Sequence, residues 1–333
     1  MDIFYLLWIK KHKKCPNCGS TRTKKRGIER GLQTWSCQDC KRRFRNERRD
    51  NITLQKSLWK EYVFEKQTLR ELKFKYQSDR RTLKNHLNNY QAPDKTHFPR
   101  AINLIADALY FGERTEKTSW CAVVFRDPLR KENLWWRFSE AETTTIYLEG
   151  RYYLESLGYK ILSVTGDGFG GLKQGFNGIP YQMCQVHMER LIVNGTTRSP
   201  ILEAGQALLA LAKLLHHTDS KTFNHYLNKY VDKYRDFLNQ KTVNPFTGQM
   251  SFTHEPLRKA ALSLVRYRPY LFTFEQNRNI PKTTNSLEGH FSNMRDIVEI
   301  HRGLSRIHKQ RVLNSILLAS TIAPTKGKLE HIL

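Results

Sequence analysis

Two apolar stretches of the sequence each carry an aspartate where a buried strand would remove its side chain from water. In Ala101–Tyr110, Asp107 interrupts a run of aliphatic residues; in Ile161–Gly171, Asp167 follows a β-branched run and directly precedes a glycine. The second pattern predicts a strand that ends in a sharp turn at the carboxylate. Because a buried carboxylate is costly unless it is paired or binds a metal, the two strands predict a shared cation site.

The order of the segments around these acids predicts the fold class. Three aliphatic and aromatic segments read as strands: 101–111, 119–126 and 133–139. A helix over about 142–157 and the strand ending at Asp167 follow, with another strand-like piece at Tyr181–His187. This is the order of a ribonuclease-H-like mixed α/β sheet. Residues 200–275 are Leu/Ala/Tyr-rich and predict a helical insertion with a loop near 244–248, and 285–319 predict a final helical region.

Four cysteines near the start of the chain predict a zinc ribbon. Cys15 and Cys18 form one CxxC pair, and Cys37 and Cys40 form a second after 18 intervening residues. Each pair forms a tight knuckle that directs two sulfurs at one point, so four thiolates can hold one structural Zn²⁺. The alternative is four unligated thiols. Trp35 and Phe44 are the expected small core, and basic residues around the knuckles suggest contact with a DNA backbone.

Residues 54–90 have the pattern of a helix-turn-helix. Leu54–Lys66 predicts the first helix, Thr68 and Glu71 have the spacing of a capping box for the second, and Ser78 is the expected cap of the third. One face of the third helix carries residues that can reach phosphates and base edges: Arg80, Arg81, Lys84, Asn85 and Asn88. The alternative is a three-helix bundle with a solvated charged face.

The charge of the chain indicates a polyanionic partner. Lys and Arg number 56 against 31 Asp and Glu, a formal net charge of +25. Residues 1–100 hold 26 basic and 10 acidic side chains, so +16 of that charge lies there. The apolar stretch Ile3–Ile9 is too short to span a membrane and lacks preceding basic residues, so we expect a cytoplasmic, nucleoid-associated protein.

Several short phrases, taken in order, resemble the DDE transposases of bacterial insertion sequences, specifically the Mutator-like group. The matching phrases are Ala-Asp107-Ala, Gly-Asp167-Gly-x-x-Gly-Leu, Cys184-Gln-Val-His187-x-x-Arg190 and Thr284-Asn285-Ser-Leu-Glu288-Gly. The resemblance covers most of the chain from about residue 98. Val193-Asn194 departs from the local pattern, but this departure does not involve the three acids. An N-terminal zinc ribbon and helix-turn-helix are also similar to those of some insertion-sequence transposases.

The resemblance implies DNA cleavage and strand transfer with two Mg²⁺ ions, or Mn²⁺, held by Asp107, Asp167 and Glu288. Two hard cations can activate a water and stabilise the leaving oxygen of a phosphodiester. The implied partners are double-stranded terminal inverted repeats and target DNA, bound by a homodimer or higher oligomer. Cys184 and His187 are two ligands, too few for a zinc site, so we expect them to be structural or DNA-positioning.

The expected domains are a zinc ribbon at 10–48, a helix-turn-helix at 52–91 and a catalytic domain at 98–333 with a helical insertion at about 196–276. The alternative function is a non-catalytic DNA-binding regulator derived from a transposase. Retention of all three acids favours the enzyme, because a pure DNA binder has no use for carboxylates near phosphates.

Each candidate site residue also has a simpler interpretation. Asp107 could bond only to backbone, and Asp167 could only stabilise an Asp-Gly turn. Glu288 could close a capping box with Asn285, in which case Glu299 is the reserve third acid. Seven residues after Glu288, Arg295 could hold a transposon-end phosphate or be a solvated side chain.

We expect the ribbon to need zinc for folding, because four thiolates are its main organising contacts. Cys37→Ser should therefore lose about one zinc per chain and bind transposon ends more weakly. Metal analysis of the purified protein and a gel shift test this expectation, and a native protein without zinc contradicts it.

Overall fold

The structure, a computed structural model, describes residues 13–29, 32–45, 50–113 and 118–319. The apolar stretch Ile3–Ile9 lies outside these ranges. The chain divides into two compact units at the boundary between Gln91 and Ala92. Within the described ranges, no helix combines the length and apolar character needed to cross a membrane.

The first unit begins with a small antiparallel sheet. Its strands are β1 (Thr23–Glu29), β2 (Leu32–Cys37) and β3 (Arg43–Arg45), in the order β1-β2-β3. Trp35 is buried and pairs with Phe44 across β2 and β3. The two residues expected to form the small core therefore face each other in register, and the sheet supports the two cysteine knuckles.

Three helices complete the first unit: α1 (Asp50–Val63), α2 (Leu69–Tyr76) and α3 (Arg80–Asn89). The predicted capping box is confirmed, because the side chains of Thr68 and Glu71 bond reciprocally to backbone N–H groups. The predicted cap Ser78 is wrong by one residue. Asp79 is the cap of α3, because its Oδ1 accepts from the N–H groups of both Arg81 and Thr82.

The second unit is built on a five-stranded mixed sheet. Its strands are β4 (Ala101–Phe111), β5 (Trp120–Asp127), β6 (Glu132–Ser139), β7 (Lys160–Gly166) and β8 (Tyr181–Met183). They lie in the order β6-β5-β4-β7-β8. The pairs β6–β5 and β5–β4 are antiparallel, and the pairs β4–β7 and β7–β8 are parallel. This order and these directions are those of the ribonuclease-H-like fold, so the predicted fold class is confirmed.

Helices of the second unit follow in chain order: α4 (Thr144–Ser156), α5 (Gly170–Gly175), α6 (Gln185–Thr196), α7 (Glu203–Leu214), α8 (Ser220–Asn239), α9 (Glu255–Tyr267), α10 (Asn285–Ile300) and α11 (Arg306–Ala319). The predicted loop near 244–248 joins a short hairpin, β9 (Lys241–Val243) and β10 (Met250–Phe252). One hydrophobic core joins the sheet to the helices of the insertion; it includes Phe125 of β5 and Leu264 of α9.

The strand predicted at Tyr181–His187 is only partly correct. The strand ends at Met183, and α6 begins at Gln185. The physical reason is a change of period, because Met188 and Ile192 are buried four residues apart on one helical face. This early helix start moves His187 onto the first turn of α6.

Candidate active site

The register of the two central parallel strands brings the two aspartates together. Ile105 on β4 pairs with Thr165 on β7. Asp107 and Asp167 each lie two residues further along. They therefore occupy equivalent positions, Asp107 within β4 and Asp167 directly after the last residue of β7. Ligand sites of open α/β sheets are found where strands such as β7 end.

Burial sets the chemistry of Asp107. Asp107 is only 9% exposed, and burial raises the pKa of its carboxyl group to about 7. The positive charge of His187 opposes this shift, and the negative charge of Asp167 adds to it. A buried carboxylate with a second carboxylate close by is a suitable arrangement for a cation between the two.

Both aspartates also make the local bonds of their simpler interpretations. The N–H of Ala108 donates to Asp107 Oδ1 at 2.8 Å, and the N–H of Phe169 donates to Asp167 Oδ1 at 3.0 Å. Each bond uses one carboxylate oxygen. These contacts fix the orientation of the two carboxylates and leave the second oxygen of each available as a ligand.

Cys184 and His187 lie next to the aspartates. The N–H of Cys184 donates to the carbonyl of Gly166, which places Cys184 beside the end of β7. Burial lowers the pKa of His187, but its bond to Cys184 and the charges of Cys184, Asp107 and Asp167 outweigh burial and raise the pKa to about 9. Burial raises the pKa of Cys184, but the bonds with His187 and Thr284 outweigh it and lower the pKa.

Glu288 approaches this group from α10. Its Oε2 accepts from Arg190 Nη2 at 2.5 Å, and its Oε1 lies 3.8 Å from His187 Nδ1. The cap of α10 is Thr284, which makes no side-chain capping bond. The structure therefore contains no capping box between Asn285 and Glu288, and the carboxylate faces α6 instead.

Buried polar bonds attach α10 to the sheet. Arg126 on β5 donates to Ser286 Oγ at 3.0 Å and to Asn133 Oδ1 at 2.6 Å. Asn133 Nδ2 lies 3.1 Å from His290 Nε2. Because Ser286 and His290 flank Glu288 on the helix, these bonds set the position from which the glutamate reaches the site.

A further carboxylate, which the sequence analysis did not identify, lies near the aspartates. Glu142 accepts hydrogen bonds from the hydroxyls of Tyr110 and Tyr147. Burial raises the pKa of Glu142, and the charge of Asp167 adds to the shift. In the sequence Glu142 directly precedes the helix cap Thr143, where an acid is normally solvated, so the sequence carries no signal of its burial.

A polar groove of about 590 Å³ lies along α6 and α7 and is lined in part by Arg190, Arg198 and Lys213. Arg295 and Glu299 are exposed on α10. The structure does not bring either of them to the two aspartates. Of the three basic side chains of the groove, Arg190 contacts Glu288.

The candidate DNA-contact face of α3 is exposed as expected. Leu83 and Leu87 are buried on the opposite face of this helix. The exposed residues are Arg80, Arg81, Lys84, Asn85 and Asn88. The helix is therefore amphipathic, with its basic and amide side chains directed to solvent.

Within the described residues, two groups offer three or more metal ligands within 4.8 Å of one another. The first is Cys15, Cys18, Cys37 and Cys40, where Cys15 Sγ lies 3.6 Å from Cys40 Sγ and Cys18 Sγ lies 3.5 Å from Cys37 Sγ. These separations are compatible with four thiolates around one zinc ion. The second group is Cys184, His187 and Glu288, so Glu288 adds a third possible ligand to the two that are evident in the sequence.

No family model matches this chain, and no curated protein matches it in sequence. Among solved structures, it is similar to the HTLV-2 integrase catalytic core domain in complex with magnesium, in a trimeric and a dimeric form. The sequence identities are 19% and 20%, and the TM-scores are 0.22 and 0.21. The alignments cover 45% and 48% of this chain and 93% and 97% of those chains. A simian T-cell lymphotropic virus intasome is also similar, with 10% identity, a TM-score of 0.20, and coverage of 54% of this chain and 64% of that one. At these scores the fold assignment rests on the strand order and directions.

The burial of Asp107 predicts a pH-dependent stability in the absence of magnesium. Its folded-state pKa of about 7 is above the unfolded value of about 3.9, so the folded state binds the extra proton and loses stability as pH rises through this interval. Asp107→Asn removes that titration. We expect thermal unfolding to show a variant about as stable as the native protein near pH 4 and roughly 2–4 kcal/mol more stable near pH 7.5.

The matched control is Asp236→Asn, which changes an exposed acid on α8. This control should follow the native protein at every pH. If Asp107→Asn also follows the native protein in parallel from pH 4 to pH 7.5, Asp107 does not carry a raised pKa. Zinc is kept in the buffer throughout, so that the cysteine knuckles remain intact.

Proposed function

We propose that this chain is a DDE-type DNA transposase that binds transposon terminal repeats, cleaves DNA and catalyses strand transfer. The observation that carries the proposal is the paired placement of Asp107 within β4 and Asp167 directly after the parallel strand β7, with Asp107 buried and within electrostatic reach of Asp167. A stable fold gains nothing from two such carboxylates unless a cation neutralises them. Hard divalent cations prefer carboxylate oxygens, which fits this pair.

In this mechanism Asp107 and Asp167 would hold Mg²⁺ or Mn²⁺, with Glu288 as the third acid. The chemistry supplied by two such ions would be activation of the nucleophile and stabilisation of the leaving oxygen of the phosphodiester. The protein positions its own groups for this: the backbone bonds to Ala108 and Phe169 orient the two aspartates. Arg190 holds Glu288 Oε2, and a DNA phosphate that binds Arg190 frees this oxygen for the site.

The distribution of positive charge supports DNA as the substrate. The chain carries a net charge of +25, and the groove beside Glu288 contributes Arg190, Arg198 and Lys213. Arginine and lysine side chains in this groove can hold a phosphate backbone, and Arg190 links the groove to Glu288. In the proposal, the ribbon at 10–48 and the helix-turn-helix at 52–91 bind the terminal repeat.

The remaining parts of the proposal follow from the resemblance of the sequence motifs to those of DDE transposases. The catalytic domain comprises residues 98–333 with its insertion at about 196–276, and the enzyme belongs to the Mutator-like group of insertion-sequence transposases. It acts as a homodimer or higher oligomer, because two transposon ends have to be joined to one target. Arg295, exposed on α10, is assigned to a transposon-end phosphate.

Replacement of any one acid by its amide tests the catalytic assignment. Asp107→Asn, Asp167→Asn and Glu288→Gln each keep the size of the side chain and remove a negative ligand. We expect Mg²⁺-dependent nicking of labelled terminal-repeat DNA to fall at least ~100-fold, with DNA binding in a gel shift unchanged or tighter without Mg²⁺.

Glu299→Gln is the matched control, because Glu299 is an exposed acid on the same helix as Glu288. It should nick DNA at the native rate. If Glu288→Gln is normal and Glu299→Gln is inactive, the third acid is Glu299. If the native protein binds terminal repeats but does not nick them with Mg²⁺ or Mn²⁺, the chain is a DNA-binding regulator instead.

The exposed face of α3 predicts a loss of DNA affinity on charge removal. Arg81→Ala or Lys84→Ala should weaken binding to terminal-repeat DNA, and each should reduce the slope of log affinity against log salt by about 1 if the side chain neutralises one phosphate. Fluorescence anisotropy across a salt series measures both quantities. The control is Lys56→Ala, which changes an exposed lysine of α1. If both α3 variants bind DNA like the native protein, α3 is not part of the DNA interface.

A further inference from the structure

The second ligand cluster has the donor set of a transition-metal site. Cys184 is fully buried, and the side chains of His187 and Glu288 are only 23% and 22% exposed. One ligand atom of each lies within 4.8 Å of the other two. Four ligands around zinc, at about 2.3 Å for sulfur and about 2.0–2.1 Å for nitrogen and oxygen, lie roughly 3.3–3.6 Å apart. A small closing movement therefore suffices to reach this geometry.

One oxygen of Glu288 has no hydrogen-bond donor within the described part of the chain. Glu288 Oε1 is buried and accepts no hydrogen bond there. His187 Nδ1 lies 3.8 Å from it, which is too long for a hydrogen bond. A buried carboxylate oxygen without a hydrogen-bond donor is costly. This oxygen faces a thiol and an imidazole, and a cation bound between the three groups would satisfy it.

The sulfur of Cys184 is positioned as a thiolate ligand. Its Sγ accepts from the backbone N–H of Thr284 at 3.3 Å and from the Thr284 hydroxyl at 3.5 Å. Thr284 is itself fully buried, so both donors are fixed in place. Arg190 orients the carboxylate in the same way, by holding the other oxygen of Glu288. Such outer contacts are typical of groups that bind a metal.

We propose that Cys184, His187 and Glu288 bind a second thiophilic divalent cation of the zinc class, separate from the cation of the cysteine ribbon. A thiolate and an imidazole select zinc-class ions over magnesium, and three protein ligands leave a fourth position open for water or a phosphate oxygen. The ion ties α6 to α10 and fixes Glu288 beside His187. This metal site does not depend on the proposed transposase activity.

Zinc stoichiometry of the full-length protein tests the proposal. The purified protein is dialysed against a weak chelator, and zinc per chain is measured by mass spectrometry. We expect two equivalents for the native protein and one for Cys184→Ala. Cys121→Ala is the matched control, because Cys121 is equally buried in β5 and belongs to neither ligand group, and it should keep two.

A second measurement separates the two sites and guards against misfolding. Cadmium-substituted protein should give two cadmium NMR resonances, and Cys37→Ser and His187→Asn should each remove a different one. His187→Asn retains Cys184, so it reports on the site even if Cys184→Ala fails to fold. A native protein with one zinc per chain, lost entirely in Cys37→Ser, overturns the proposal and leaves Cys184 and His187 as a metal-free ion pair.

Discussion

The parallel pairing of β4 with β7 is the constraint on which the rest of the second unit depends. It places two carboxylates at equivalent positions on neighbouring strands, and the fold then removes one of them from water. Repulsion between such groups has to be offset, and the positively charged ring of His187 supplies part of the compensation. The helices around the sheet position the side chains that supply this compensation.

The segment before α10 carries out much of that assembly. Thr165 Oγ1 donates to the carbonyl of Pro281 at 2.8 Å, and the N–H of Gln185 donates to the carbonyl of Lys282 at 3.0 Å. Thr284 then bonds to Cys184. Three short contacts thus attach the last part of the chain to β7 and α6, and the position of Glu288 follows from them.

Some of this architecture could be predicted from local sequence, and some could not. Asp107 and Asp167 were identifiable because an acid in an apolar run is locally visible. The contact of Thr284 with Cys184 spans a hundred residues and has no local signature. Ser78 and Asp79 are both good helix caps, so the choice between them depends on backbone geometry that residue type does not encode. The burial of Glu142 arises from Tyr110 and Tyr147, which lie on separate elements.

The closure of the insertion at its base has an evolutionary consequence. Gln185 and Lys282 are hydrogen-bonded neighbours, so the chain between them leaves the sheet and returns to the same place. The entropy of closing such a loop changes slowly with length, by about 0.6 kcal/mol for each doubling. Residues can therefore be gained or lost at the exposed turn around Phe246 without a change in the distance between Cys184 and Glu288. Related chains could differ widely in length there and still share one arrangement of ligands.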